Sequence, residues 1–259
     1  MIGKEIAIAS GAGEMDAYVA HPDGEGPFPL VLLFMDVWGL REELFRIVRR
    51  VAAEGYYCVV PNLFYRDGKA RYEERNADGR MLSFDKIAPA MQVKLRDLSG
   101  TVTRARARDD IAAILDFSRD EPVDPGPAGS VGFCLGGRVI FFAGQEFPAR
   151  FRANASLHGT RLIVDAPDSP HRLIGRMRGE LYCGYGEHDS LCGPDVAAEI
   201  ARLCADNPDL RYRGQIHPGA GHGYSLPDRD IYDHHATEAD WAAIFAMFGR
   251  ILKRHVKLP

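Results

Sequence analysis

The chain has 259 residues, of which 46% are hydrophobic and 26% charged, a composition that excludes a disordered or fibrous protein and predicts a globular core. A net charge of -4 with interspersed signs gives no field that would gather nucleic acid or an anionic membrane. No apolar run approaches the about 20 residues that span a bilayer, and residues 1–10 lack a signal peptide's features, so we expect a cytoplasmic protein.

The first half of the chain predicts a hairpin followed by a β-α-β unit. Two alternating runs between residues 4 and 20 favour an antiparallel hairpin at a sheet edge. The continuous apolar run 30–35 is typical of a strand buried on both faces. A helical spacing of apolar residues follows over 41–54, and a second strand over 56–60. Residues 66–99 are polar and irregular, so short helices and loops are expected there.

Strands and helices alternate through the second half. A helix is predicted over 105–118, and its solvated face would carry the densest charge run, Arg104, Arg106, Arg108, Asp109 and Asp110. The remaining predicted strands are 130–133, 153–157, 180–183 and 210–217, and the remaining helices lie near 138–144, 194–205 and 236–253. The alternation predicts an α/β fold in one domain, residues 1–259, with a mostly parallel central sheet and helices on both faces.

The five cysteines are odd in number, and none of them pairs at the spacing of a zinc site. Most reduced cysteines are small buried apolar residues, and a bare Gly-x-Cys-x-Gly match would favour that structural role for Cys134 as well. Here the segment Gly132-Phe133-Cys134-Leu135-Gly136 lies between a predicted strand and a predicted helix. That context is typical of the sharp turn that presents the nucleophile in the α/β-hydrolase fold.

A thiol nucleophile needs a base, and in this fold an acid and then a histidine follow the nucleophile along the chain. His222 lies in a glycine-rich loop directly after a predicted strand, where a base is well placed. Asp189 follows the strand that ends near residue 183, so it can orient the imidazole. Glu187 and Asp195 are alternatives for this acid.

Other histidines give no metal-binding pattern. They are scattered singly or adjacent, without a His-x-x-x-His pair, at His158, His171, His217, His234 and His235. The sequence also contains no glycine-rich phosphate loop with Lys-Ser or Lys-Thr. We therefore expect neither a metal nor another cofactor.

Taken together, these residues resemble the dienelactone hydrolase family, over about Ile6 to Leu252. The shared motifs are FMDVWGL at 34–40, VVPNLFYR at 59–66, VGFCLGG at 131–137, Gly186-x-x-Asp189 and AGHG at 220–223. The resemblance implies a Cys134, His222 and Asp189 triad that hydrolyses an ester or lactone through an acyl-cysteine. It also implies an oxyanion hole made by the backbone amides of Val37 and Leu135; the second of these follows from the turn as well.

Several departures from the family bear on the substrate. Asp36 stands where the family's prototype has a glutamate, so we expect a shorter acid beside the nucleophile. Leu226 occupies the position, four residues after the histidine, where the prototype has a substrate-binding arginine, and Leu157-His158-Gly159 replaces an aromatic pair. The sequence therefore predicts a small-molecule ester or lactone substrate and leaves open whether dienelactone itself is accepted. A non-catalytic ligand-binding protein and a thioesterase or peptidase with the same triad are the alternatives.

Overall fold

An eight-stranded sheet forms the centre of the protein. The computed structural model describes residues 1–253. Its strands are β1 (Ile2–Ser10), β2 (Gly13–His21), β3 (Leu30–Phe34), β4 (Tyr57–Pro61), β5 (Ala128–Phe133), β6 (Phe151–Leu157), β7 (Gly179–Gly186) and β8 (Leu210–His217). Their order is β1-β2-β4-β3-β5-β6-β7-β8. The pairs β1–β2 and β2–β4 are antiparallel and all others are parallel. This confirms the predicted edge hairpin and the mostly parallel sheet.

Helices cover both faces of the sheet, as predicted. They are α1 (Glu42–Ala53), α2 (Pro89–Thr101), α3 (Arg104–Phe117), α4 (Leu135–Glu146), α5 (Pro194–Ala205) and α6 (His234–Ile251). On one face, α1 packs on β2 and β4 and α6 packs on β6 and β7, and Arg50 of α1 pairs with Glu238 of α6 at 2.7 Å. On the other face, α4 packs on β3, β5 and β6, with α3 against it. Every residue of β3, β4 and β5 is buried, because apolar side chains meet helices on both sides.

Two predictions for the helices need correction. Residues 89–101 form one regular helix, α2, where short helices and loops were expected; within it only Leu95 among the apolar residues is buried, so no apolar period marks it. The helix predicted near 138–144 begins earlier, at Leu135. Its first turn therefore starts directly after Cys134. None of the helices in residues 1–253 is long and apolar enough to cross a membrane.

The charged run on α3 is only partly solvated. Arg108 and Asp109 are exposed and pair with each other at 2.9 Å, as expected for a solvated face. The same expectation is wrong for Asp110, which is buried. Its carboxylate accepts hydrogen bonds from the Tyr65 hydroxyl and from Arg66, each at 2.9 Å. These partners come from the loop after β4, which no helical pattern could reveal.

Candidate active site

Cys134 is the single residue between the end of β5 and the start of α4. Its backbone has φ 52° and ψ -109°, in the left-handed half of conformational space that L residues rarely adopt. Such a strained residue persists only where its surroundings hold it, and strain of this kind is concentrated at functional sites. Among the five free cysteines Cys134 is half-buried and the other four are buried. The turn thus presents one accessible thiol at the carboxyl ends of the parallel strands.

The glycines around the thiol are required by close backbone contacts. A Cβ atom on Gly132 would lie 2.2 Å from the Gly136 carbonyl oxygen, and one on Gly136 would lie 2.1 Å from the Phe34 carbonyl oxygen. The Gly136 amide also donates to the Met35 carbonyl at 3.0 Å, which ties the first turn of α4 to the end of β3. The spacing of the motif is therefore explained by packing of the turn against its neighbouring strand.

His222 and Asp189 form a hydrogen-bonded pair at the same edge of the sheet. The His222 Nδ1 lies 2.8 Å from the Asp189 Oδ2. The other carboxylate oxygen, Oδ1, accepts the backbone amides of Leu191 at 2.8 Å and Cys192 at 3.0 Å. The Asp189 side chain is fully buried, so these donors fix its orientation. A carboxylate facing Nδ1 places the proton there, and Nε2 of the neutral ring is left free to act as a base.

Charges at the site act strongly on His222. Burial lowers the pKa of its imidazole, but the Cys134 sulfur and the Asp189 carboxylate outweigh burial and raise the pKa to about 10. The Nε2 atom is buried and has no hydrogen-bond partner by distance and angle within residues 1–253. Cys134 is nevertheless close enough to be the largest influence that raises this pKa. The arrangement can therefore stabilise an imidazolium beside a sulfur anion.

The two alternative acids have other surroundings. Glu187 accepts a hydrogen bond from the Gly219 backbone amide at 2.8 Å. Asp195 lies in the first turn of α5. The carboxylate that the structure brings to the His222 ring is that of Asp189.

The resemblance to the family assigns the oxyanion hole to two backbone amides. Within residues 1–253 neither the Val37 amide nor the Leu135 amide donates a hydrogen bond. Leu135 is the first residue of α4, where helical amides have no partner in the helix. Around Val37, the Trp38 amide donates to the Asp36 Oδ1 at 3.2 Å and the Gly39 amide donates to the Asp36 carbonyl at 3.4 Å. The two amides named from the sequence are thus available for an oxyanion.

Asp36 lies in a buried cluster of charges. Arg41 donates to its Oδ1 at 2.7 Å and to its Oδ2 at 3.0 Å, and it also binds Asp228 through Nε at 2.6 Å. Burial lowers the pKa of Arg41, yet the two carboxylates raise it above its usual value. Because both oxygens of Asp36 are bound to Arg41, the carboxylate is held in place by a buried ion pair.

Arg229 is a residue at the site that the sequence analysis missed. Its guanidinium is buried, lies 3.7 Å from the Asp36 Oδ2 and stacks on the Trp38 ring at 4.7 Å. It donates to the Leu82 carbonyl at 3.0 Å, whereas its Nε has no partner within residues 1–253. Burial lowers its pKa, and the charges of Asp36, Asp228 and Cys134 act against burial. A cation is therefore present here, although Leu226 at the family's arginine position is a buried apolar residue.

Two of the histidines considered as metal ligands are bound by protein groups. The His158 Nε2 lies 2.8 Å from the Ser225 Oγ, and its ring packs edge-on against His222 with centroids 5.2 Å apart. The His217 Nε2 lies 2.6 Å from the Asp240 Oδ1. Both rings support the loop that carries His222.

A mostly parallel sheet with a Gly-x-Cys-x-Gly turn after β5 and a histidine loop after β8 is typical of the α/β-hydrolase fold. The profile of the dienelactone hydrolase family matches residues 15–252. The chain belongs to this family and is a carboxylic ester hydrolase.

Relatives in sequence and structure agree with this assignment. Proteins provisionally named carboxymethylenebutenolidase are similar to the chain: one from Synechocystis is 24% identical over 244 residues, 93% of either chain. One from Escherichia coli K12 is 24% identical over 246 residues, 93% of this chain and 84% of the relative. A crystal structure of a provisionally named dienelactone hydrolase from Klebsiella pneumoniae superposes with a TM-score of 0.81 at 21% identity, covering 96% of this chain and 98% of the other. A dienelactone hydrolase-like promiscuous phosphotriesterase from metagenomic libraries gives 0.73 at 20% identity, with 96% and 98% covered. These likenesses show the fold.

Proposed function

We propose that the protein hydrolyses an ester or lactone bond with Cys134 as nucleophile, His222 as base and Asp189 as the acid that orients it. The observation that carries the proposal is the turn at Cys134, which holds the one half-buried thiol in a strained conformation at the amino terminus of α4. A helix amino terminus and a neighbouring imidazole both favour the thiolate, which is the nucleophilic form of cysteine. The hydrogen-bonded pair of His222 and Asp189 supports the same assignment.

The proposed reaction has two halves. The Cys134 thiolate attacks the carbonyl carbon, and the amides of Val37 and Leu135 donate to the resulting oxyanion. When the intermediate collapses, the carbon–oxygen bond breaks and the imidazolium of His222 protonates the leaving alkoxide, which leaves an acyl-cysteine. Water then attacks the thioester carbonyl while His222 takes its proton; the carbon–sulfur bond breaks, the carboxylic acid departs, and the Cys134 thiolate is regenerated beside the His222 imidazolium. Asp189 keeps the imidazole in the required tautomer throughout.

We further propose that the substrate carries a negative charge near the reacting carbonyl. Arg229 supports this, because its buried guanidinium stacks on Trp38 and its Nε has no partner among the described residues. A buried cation with unused donors favours an anionic group such as a carboxylate. The relatives' name denotes a lactone ring that bears a carboxymethylene group, which has this chemistry. Arg229 thus supplies a cation that the leucine at position 226 cannot.

The reaction is tested with wild-type protein and Cys134→Ala on a panel of aryl esters, lactones, thioesters and short peptides. We expect turnover of oxygen esters or lactones that is lost in Cys134→Ala. Equal turnover by the two proteins on every substrate would show that Cys134 is not the nucleophile. Turnover of thioesters or peptides alone would move the protein to a different reaction class, and inactivity on the whole panel together with tight binding of one compound would favour a ligand-binding role.

We also propose a cytoplasmic location. All five cysteines are free, and a thiol nucleophile has to remain reduced in order to react. Fractionation of cells that produce the protein tests this, and recovery outside the cytoplasm would contradict it.

A further inference from the structure

A short loop after β6, residues 158–161, contacts Cys134. Residues His158 and Arg161 of this loop both have positive φ, 39° and 55°, so the chain bends sharply before and after the pair Gly159-Thr160. The Thr160 amide donates to the Cys134 carbonyl at 3.0 Å, and the Cys134 amide donates to the Leu157 carbonyl at 3.0 Å. The Cys134 backbone is therefore held at its amide by the end of β6 and at its carbonyl by this loop.

The loop also brings a hydroxyl to the sulfur. The Thr160 Oγ1 lies 4.0 Å from the Cys134 Sγ, and within residues 1–253 this is the one hydrogen bond its hydroxyl makes. Thr160 is 9% exposed, so bulk water offers little competition for the hydroxyl. A hydroxyl both accepts and donates, and its proton rotates to suit its partner. It accepts from the neutral thiol and donates to the thiolate, and the bond to the charged sulfur is the stronger one.

We propose that Thr160 is a further catalytic residue, whose hydroxyl donates a hydrogen bond to the Cys134 thiolate and stabilises it before attack on the substrate. The inference rests on the proposed function, since it gives Thr160 a role only if Cys134 is the nucleophile. Nothing in the spacing of the sequence marks the residue, because the contact joins the loop after β6 to the turn after β5.

Other groups that influence the sulfur stay in place when Thr160 is changed. The charged or titratable groups that act on Cys134 are His222, Arg229 and Arg138, and the Cys192 thiol lies within the same range. They act through charge at longer range, whereas the threonine hydroxyl makes a directed contact. Thr160→Val keeps the shape of the side chain and the backbone bond to Cys134 but removes the hydroxyl. Thr160→Ser restores the hydroxyl and serves as the matched control.

The test is the rate of Cys134 alkylation by iodoacetamide, measured by peptide mass spectrometry across a pH series in wild type and both variants. Loss of a hydrogen bond to a charged acceptor slows alkylation of Thr160→Val about tenfold at about pH 6 and moves its midpoint up by about one pH unit. The plateau rate at high pH is not lowered and rises by no more than about threefold, because every sulfur is then ionised and nucleophilicity depends only weakly on pKa. Thr160→Ser follows the wild-type profile within about threefold.

Three results would overturn the inference. The first is a wild-type profile for Thr160→Val, and the second is an equal shift in Thr160→Ser and Thr160→Val. The third is a lowered plateau with an unmoved midpoint, which would show that the threonine only packs against the turn. If wild-type Cys134 reacts no faster at about pH 6 than the four buried cysteines, the proposed function fails as well. Fast alkylation of Cys134 in both wild type and Thr160→Val would contradict the role of Thr160 but not the proposed function.

Discussion

The variant Asp189→Asn tests whether the Asp189 carboxylate sets the tautomer of the His222 imidazole, as the proposed function requires. The carboxylate has two separate tasks: Oδ1 accepts the Leu191 and Cys192 amides, and Oδ2 faces the His222 Nδ1. Asparagine has one oxygen and one amino group, so it can perform only one of these tasks. If its oxygen stays with the two amides, its amino group faces Nδ1. The imidazole must then accept at Nδ1, and its proton moves to Nε2.

The structure decides between the two orientations. Turning the asparagine oxygen toward His222 would leave two backbone amides facing an amino group, at about 1–3 kcal/mol for each buried donor left without an acceptor. The orientation with the oxygen on the amides avoids both penalties, so the wrong imidazole tautomer prevails. A base with its Nε2 already protonated cannot take the thiol proton. The equivalent tautomer error in serine-based triads costs on the order of 10⁴ in kcat, against about 10- to 150-fold for loss of a charged hydrogen bond alone.

The assay is kcat/KM on the best aryl ester at neutral pH, for wild type, Asp189→Asn and Glu187→Gln. The second variant makes the same change of carboxylate to amide two residues away, where Glu187 binds the Gly219 amide. We expect a loss of at least about 10³ for Asp189→Asn and less than about threefold for Glu187→Gln. Retention of more than a tenth of wild-type activity by Asp189→Asn, or an equal loss in Glu187→Gln, would refute the reasoning.

Two further predictions concern the buried charges. Arg41→Leu leaves two buried carboxylates without their shared partner and should lower the free energy of unfolding, measured in urea, by about 3–5 kcal/mol. The control Arg108→Leu, at an exposed pair, should change it by less than about 1 kcal/mol. Equal effects of the two variants would contradict the stabilising role given to Arg41. Arg229→Met should lower kcat/KM for a carboxylate-bearing ester about 10- to 150-fold and leave its neutral methyl ester within about threefold; equal losses on both esters would remove Arg229 from substrate selection.

Local pattern was sufficient for much of the fold and for naming Cys134, Asp189 and His222, of which the structure pairs the last two. The run Leu30–Phe34 is apolar on both faces because helices cover it. Gly132 is required by a contact under 3 Å within the turn, and Gly136 by one with the end of β3. His222 could be singled out because a glycine-rich loop follows its strand. In each case a short stretch of sequence carries the signal, even where the packing partner is distant.

The rest of the site depends on contacts between segments distant in sequence. Arg41 and Asp228 are 187 residues apart, yet they form one buried ion-pair cluster with Asp36. Arg229 reaches the site from beyond the loop that carries His222, three residues after the position at which the family's prototype has an arginine. Thr160 reaches the sulfur only because β5 and β6 are neighbours in the sheet. No periodicity or spacing encodes such contacts.

The central claim is that Cys134 forms an acyl intermediate, and trapping that intermediate tests it most directly. Wild-type protein is mixed with an activated aryl ester, quenched in acid within the first turnover and digested for peptide mass spectrometry. The account predicts the mass of the acyl group on the peptide that contains Cys134, a burst of phenol equal to the number of active sites, and neither signal in Cys134→Ala. An acyl group on another residue, or hydrolysis at the wild-type rate by Cys134→Ala, would contradict it.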